Sequence, residues 1–281
     1  MLKLSIAIPA SVVSDTPHLR EKTSKIGLIG RAAAIFRANE IVVYADNPKV
    51  NQHADLDLIA VLLEYMETPQ YLRKRLFRIE PRLQYAGILP PLRTPHHPLN
   101  KKAAKLKVGE YREGVILSET KEGLLVDIGV EQPALLRERQ FIAGKRATLQ
   151  VVKAGERAEV QAVSGEVPSY WGYTVTVERR SLKRLLEDRD FDLNIGTSVK
   201  GSAWKRVAAE VAEAWHQAGS ALVVFGAPTR GLQEIARDTG VTLDALVDFV
   251  VNTIPLQGTE TVRTEEALLA TLAILNVQLT V

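Results

Sequence analysis

The chain has 281 residues and a mass of 31.0 kDa, with 46% hydrophobic and 25% charged residues, which excludes a disordered chain and allows about two domains. It contains no cysteine, so disulfide frameworks, thiolate nucleophiles, Cys-ligated zinc and iron–sulfur clusters are all excluded. The formal charge of +3 is unevenly spread: Tyr71 to Lys107 holds ten basic residues against the single acid Glu80, leaving that segment at +9 and the remainder at −6.

In chain order, Leu2 to Ile8 reads as a strand that stops at Pro9. No apolar run approaches the roughly 18 residues of a membrane span, so a soluble, untargeted, cytoplasmic protein is expected. A helix is predicted over about His18–Ala38, then the Ile-Val-Val strand Glu40–Tyr44, giving a βαβ opening. Asp55–Met66 carries Leu56, Ile59, Leu62 and Leu63 at helical spacing, and Pro69 begins a basic helix after it. An uncompensated stripe of this kind attracts phosphates, so Arg73, Lys74, Arg75, Arg78, Lys101, Lys102 and Lys105 are the candidate RNA contacts. Beyond Gly87 the proline-rich run Pro90 to Pro98 can be neither regular helix nor central strand, and marks a boundary.

From about Lys107 to Ser164 glycines separate short β-like segments: 109–117, 123–129, Ala147–Val152 and Ala158–Val163. Such spacing suggests a small barrel resembling OB-fold modules, although Tyr111 and Phe141 are the only aromatics in it available for base stacking. After Trp171 the α/β texture returns. Strands are expected at Tyr173–Val177, near Thr197–Lys200, at Leu222–Phe225 and at Phe249–Val251; helices are expected around Leu182–Leu186, Trp204–Gln217, Leu232–Thr239 and Glu265–Leu275. The simplest organisation is one α/β domain built from both chain ends, residues 1–90 and 169–281, with an inserted β-barrel domain over 91–168.

No Gly-x-Gly occurs, so the dinucleotide fingerprint is absent, as are the P-loop, the Gly-x-Ser-x-Gly elbow and any His-Glu-x-x-His pattern; no metal is implied. Two turns remain, each following an apolar strand: Phe225-Gly226-Ala227-Pro228-Thr229-Arg230-Gly231-Leu232 and Asn252-Thr253-Ile254-Pro255-Leu256-Gln257-Gly258-Thr259. In a parallel sheet they lie at the carboxyl ends of strands, where open α/β folds bind ligands. Thr264, Glu265 and Glu266 read as capping residues of the last helix.

On these two turns the sequence resembles the SPOUT superfamily of knotted RNA methyltransferases, in its archaeal and eukaryotic branch with an OB-like insertion. The resemblance implies a trefoil-knotted parallel-sheet domain and S-adenosylmethionine as cofactor. Its walls would be Gly226, Ala227, Pro228 and Gly231 on one side, and Asn252, Ile254, Pro255, Leu256, Gln257 and Thr259 on the other, with Thr197, Ser198 and Gly201 in a first knot loop. It also implies an RNA substrate, with base methylation of ribosomal RNA at uridine N3 first and a tRNA or ribose 2′-O target behind it. By the same resemblance Arg31 would handle the proton, although Lys25 stands where the motif has asparagine; Arg263 is a second candidate. A homodimer follows too, with Ala208, Val211 and Trp215 as contact residues or as ordinary core. The competing reading is a non-catalytic RNA-binding or assembly factor.

Overall fold

The computed structural model describes residues 2–279. The chain divides into two compact units: the first takes residues up to Met66, Pro81–Pro91 and everything from Tyr173 on, the second Glu67–Glu80 with Leu92–Gly172.

The first unit is built on a six-stranded parallel sheet of order β11-β9-β10-β1-β2-β8. Its strands are β1 (Lys3–Pro9), β2 (Glu40–Tyr44), β8 (Thr174–Glu178), β9 (Leu193–Ala203), β10 (Ser220–Val224) and β11 (Phe249–Asn252). Both chain ends meet in it, since β1 lies between β2 and β10, with Lys3 paired to Ser220 and Ser5 to Glu40. Alternation buries both faces. Ala7, Val42, Tyr44, Leu222 and Val224 pack on α4 (Leu182–Asp188) and α6 (Leu232–Asp238), while Ile6, Ile8, Ile41 and Val43 are fully buried on the other side. Each buried valine, leucine or isoleucine among them contributes about 1.5–3 kcal/mol by leaving water.

The remaining helices of this unit are α1 (Leu19–Ile35), most of α2 (His53–Glu67), α5 (Trp204–Gln217) and α7 (Thr264–Leu279). Close approach to α1 depends on glycine: a Cβ at Gly27 would stand 2.8 Å from Pro90 Cδ, and one at Gly30 2.9 Å from Met66 Sδ. Among the described residues no helix is long and apolar enough to cross a membrane.

The second unit is a closed five-stranded barrel of order β3-β4-β5-β7-β6, comprising β3 (Tyr111–Glu119), β4 (Leu124–Asp127), β5 (Ala134–Leu136), β6 (Arg146–Lys153) and β7 (Glu159–Ala162). The short basic helix α3 (Gln70–Leu76) docks on it through Tyr71, whose hydroxyl donates to Glu113 O at 2.8 Å and whose ring fills the space a Cβ on Gly129 would need. Phe141, one of the two aromatics available in this segment, packs against the barrel core.

A buried polar network closes the barrel unit. Arg146 grips the Glu67 carboxylate with both terminal nitrogens, at 2.6 and 3.0 Å, and donates through Nε to Glu113. His96 Nε2 lies 3.0 Å from Glu67 Oε1, and Trp171 Nε1 and Thr148 Oγ1 both donate to Glu113 Oε1. Burial alone would raise the Glu67 carboxyl, but His96 and Arg146 outweigh it and hold it down to about 2. His97 is pushed down to about 4 by burial, with His96 beside it adding to the effect.

Candidate functional site

The carboxyl ends of β9, β10 and β11 enclose a cavity of about 260 Å³, at the sheet edge where open α/β folds hold ligands. One wall is the loop after β10, with Gly226, Ala227, Pro228 and Gly231; the second is the loop after β11, with Asn252, Ile254 and Gln257; the third is Thr197 and Ser198 of β9. The loops expected to form a site therefore converge on one cavity.

Four expected residues are not part of its lining. Gly201 packs strands instead, because a Cβ there would stand 2.7 Å from the Val251 carbonyl carbon. Leu256 is 101% exposed in the left-handed region, φ 58°, turned away by the same tight bend that leaves Pro255 exposed. Thr259 is exposed and donates to Thr261 O, stiffening its own loop. The expected first loop is also different in kind: Thr197–Gly201 lie within β9, at a register shift where the partners of Val250 and Val251 are Gly196 and Ser202. They are an excursion of a strand, not a connection after one.

The polar side chains of the cavity are largely spent on holding its walls. Thr197 Oγ1 donates to Val224 O at 3.0 Å, tying β9 to β10. Asn252 donates to Val199 O at 2.9 Å and accepts from the Ile254 N–H, so it joins β9 to the loop after β11. Gln257 donates to Thr259 O and Glu260 O, and Thr253 shares a hydroxyl bond with the buried Thr271 on α7.

Thr264 does not cap its helix. Its hydroxyl donates to Gly226 O at 2.8 Å, binding α7 to the loop after β10, while Glu266 receives the Arg263 N–H in the capping position. Glu265 is no surface cap either: it is 9% exposed, 3.8 Å from Lys25 Nζ, and burial raises its carboxyl above the usual range. Lys25, itself buried, lies 2.6 Å from Asp15. Gly226 serves the loop itself, since a Cβ there would come within 2.7 Å of Leu232 N.

Arg31 lies outside the lining and donates to Pro91 O at 3.0 Å. Arg263 is exposed and also outside it. Val211 is fully buried within the chain, so it is core; Ala208 and Trp215 are half-buried. In the basic segment, Arg73 donates to Thr68 O and Arg75 pairs with Asp127 at 2.5 Å, whereas Lys74, Arg78, Lys101, Lys102 and Lys105 are exposed.

Sequence reasoning missed several residues that shape the site. Phe225, Val262, Thr264 and Ala267 line it, and so does Glu260, the one ionisable side chain among the described lining residues. Among the described residues that line the cavity none is cationic, so its chemistry suits an uncharged or cationic ligand better than a polyphosphate.

Residues 3–275 match the profile of a family described as "Putative RNA methyltransferase". The chain belongs to this RNA methyltransferase family. It is 34% identical over 313 residues to the 28S rRNA (uridine-N(3))-methyltransferase of Mus musculus, an alignment covering 99% of this chain and 77% of that protein. The Drosophila melanogaster protein of the same name is 33% identical, with 98% of this chain and 62% of the fly protein covered. An uncharacterized protein of Halobacterium salinarum is 32% identical over 97% of this chain and 98% of its own length.

Proposed function

We propose that this RNA methyltransferase uses S-adenosylmethionine to methylate a uridine base of ribosomal RNA at N3. The observation that carries the cofactor reading is the cavity itself: three strand ends converge on it, and its described lining residues include the acid Glu260 and no cation, which fits a cofactor whose sulfonium and ammonium are positive. The uridine target rests on the names of the insect and mammalian relatives. When bound, the cofactor supplies a methyl group already activated by positive sulfur.

The chain's own task is to hold the donor and the base in line and to exclude water. Gly226, Ala227, Pro228 and Gly231 would hold it on one side and Asn252, Ile254 and Gln257 on the other, with Thr197 and Ser198 closing the third wall. The knotted threading of these loops, the homodimer, the proton-handling roles of Arg31 and Arg263, and RNA capture by the exposed lysines belong to the same reading. The test is mass spectrometry of nucleosides from ribosomal RNA incubated with the protein and isotope-labelled S-adenosylmethionine. The label is expected in 3-methyluridine; label in a 2′-O-methylated nucleoside would overturn the base assignment, and no label at all the cofactor.

A further inference from the structure

Glu260 is the one ionisable residue among the described residues that line the cavity. Five polar side chains around it are engaged elsewhere: Thr197, Asn252, Gln257 and Thr264 donate to backbone carbonyls, and Thr253 bonds to Thr271 on α7. Glu260 is fixed at its backbone, where its carbonyl accepts from Gln257 Nε2 at 3.1 Å. Its carboxylate, by contrast, has no hydrogen-bond or ion-pair partner among the described residues, and no lysine, arginine or histidine lines the cavity to neutralise it. Glu260 is exposed where it lines the cavity, so a pinned backbone bearing an unpaired carboxylate, among described lining residues that include no cation, is an arrangement that selects positive charge.

From this we infer that Glu260 is a specificity-determining residue that pairs with the cationic sulfur centre of the methyl donor and so favours the charged donor over the spent product. The inference rests on the cofactor assignment above. Methyl transfer breaks the S–CH3 bond, and the bonding pair stays on sulfur. The sulfonium becomes a neutral thioether, while the acceptor nitrogen gains the methyl and gives up its proton to solvent. The ligand therefore loses one unit of positive charge at the point the carboxylate reads, and Glu260 assists exchange of product for fresh donor.

Calorimetry on the full chain with three ligands tests this: S-adenosylmethionine, the neutral product S-adenosylhomocysteine, and sinefungin, whose amine replaces the methylated sulfur. Glu260→Gln keeps the shape, removes the charge and lies on an exposed loop, so the fold should persist; a thermal melt checks that. The variant is expected to weaken S-adenosylmethionine and sinefungin by about fivefold, the effect of one unit charge pair at contact in a water-like dielectric, and to leave S-adenosylhomocysteine unchanged. Glu260→Lys should weaken the two charged ligands further. Equal weakening of all three, or no change in any, overturns the role of Glu260 while leaving the cofactor assignment standing. Wild-type protein that binds none of the three overturns both.

Discussion

Arg230, in the loop after β10, reaches across to Asp46 beyond the end of β2: its Nη1 donates to Asp46 O at 2.8 Å and lies 3.5 Å from Asp46 Oδ2. Asp46 is buried and already accepts from the Ser11 N–H, the Ser11 hydroxyl and Gln52, so it is a fixed anchor; Arg230 also pairs with Asp238. The cavity wall at Gly226–Gly231 is thus held from outside the cavity. Arg230→Lys retains charge but loses the planar fork. It is expected to weaken cofactor binding about tenfold, or about 1.4 kcal/mol, with a melting temperature within a few degrees of wild type. Unchanged affinity by calorimetry would show that the loop holds its shape without the clamp.

Gly226→Val is expected to abolish cofactor binding, because the added carbon meets Leu232 N at 2.7 Å and the loop cannot close. Gly258→Ala is the contrast. Nothing lies within 4 Å of a Cβ there, so affinity should stay within about twofold and stability should rise slightly. A Gly226 variant that binds normally would move the ligand away from this loop.

Acid should unfold the barrel unit in two overlapping steps. His97 has a folded pKa of about 4, below its ordinary 6.5, so the unfolded chain takes up more protons and stability falls as pH drops from 6.5 towards 4. Glu67, held down to about 2 from 4.5, adds a second loss below pH 4.5. Denaturant melts at stepped pH should show both, and His97→Gln should flatten only the upper one. Gly172→Ala attacks the same network at neutral pH. Its φ is +88° and its Cβ would stand 2.5 Å from His96 Cε1, so a loss of about 2 kcal/mol or more is expected.

RNA affinity should depend on Lys101, Lys102 and Lys105 more than on Arg73 and Arg75, whose guanidinium groups are engaged by Thr68 O and Asp127. Replacing the three lysines with glutamine should reduce the slope of log K against log salt by about two units if each neutralises a phosphate, at roughly 0.7 apiece on single-stranded RNA. Filter binding across a salt series reads this directly, and an unchanged slope would clear the lysines of phosphate contact.

Light scattering at micromolar concentration should give about twice the 31.0 kDa of the chain. Leu269 and Val277 on α7 are exposed apolar residues, 48% and 73%, that pairing would cover, and Leu269→Glu should shift the mass towards the monomer. A wild-type mass near 31.0 kDa would end the dimer reading.

Much of the sheet could be read directly from residue type. Ile41-Val42-Val43 is β-branched and flanked by polar residues, and β2 spans Glu40–Tyr44 as expected; α5 spans Trp204–Gln217, also as expected. β5 escaped notice because three residues rich in leucine, Ala134–Leu136, carry no period and exist only through pairing with β4 and β7. β9 was read too short because Gly196, Ser198, Lys200 and Gly201 resemble a turn, and only the neighbouring strands impose extension on them. The cavity loops showed themselves through glycine and proline, but the partners of Thr264 and Glu265 did not. Gly226 lies 38 residues before Thr264, and Lys25 sits at the opposite end of the chain, so no local pattern links them. Glu260 had the weakest signal of all, a lone acid in a polar turn.

Placing β1 between β2 and β10 has a consequence for how the chain is made. As synthesis proceeds from the first residue, β1 can find β2 early, but its other edge has no partner until Ser220–Val224 has been made. The barrel unit, whose strands all fall between Tyr111 and Ala162, is complete long before then and can fold on its own local pairings. The sheet must wait, with an apolar edge open to water. Its long sequence separations make closure slow, and the open edge is a site for wrong pairing until the last strands and the cavity loops form together.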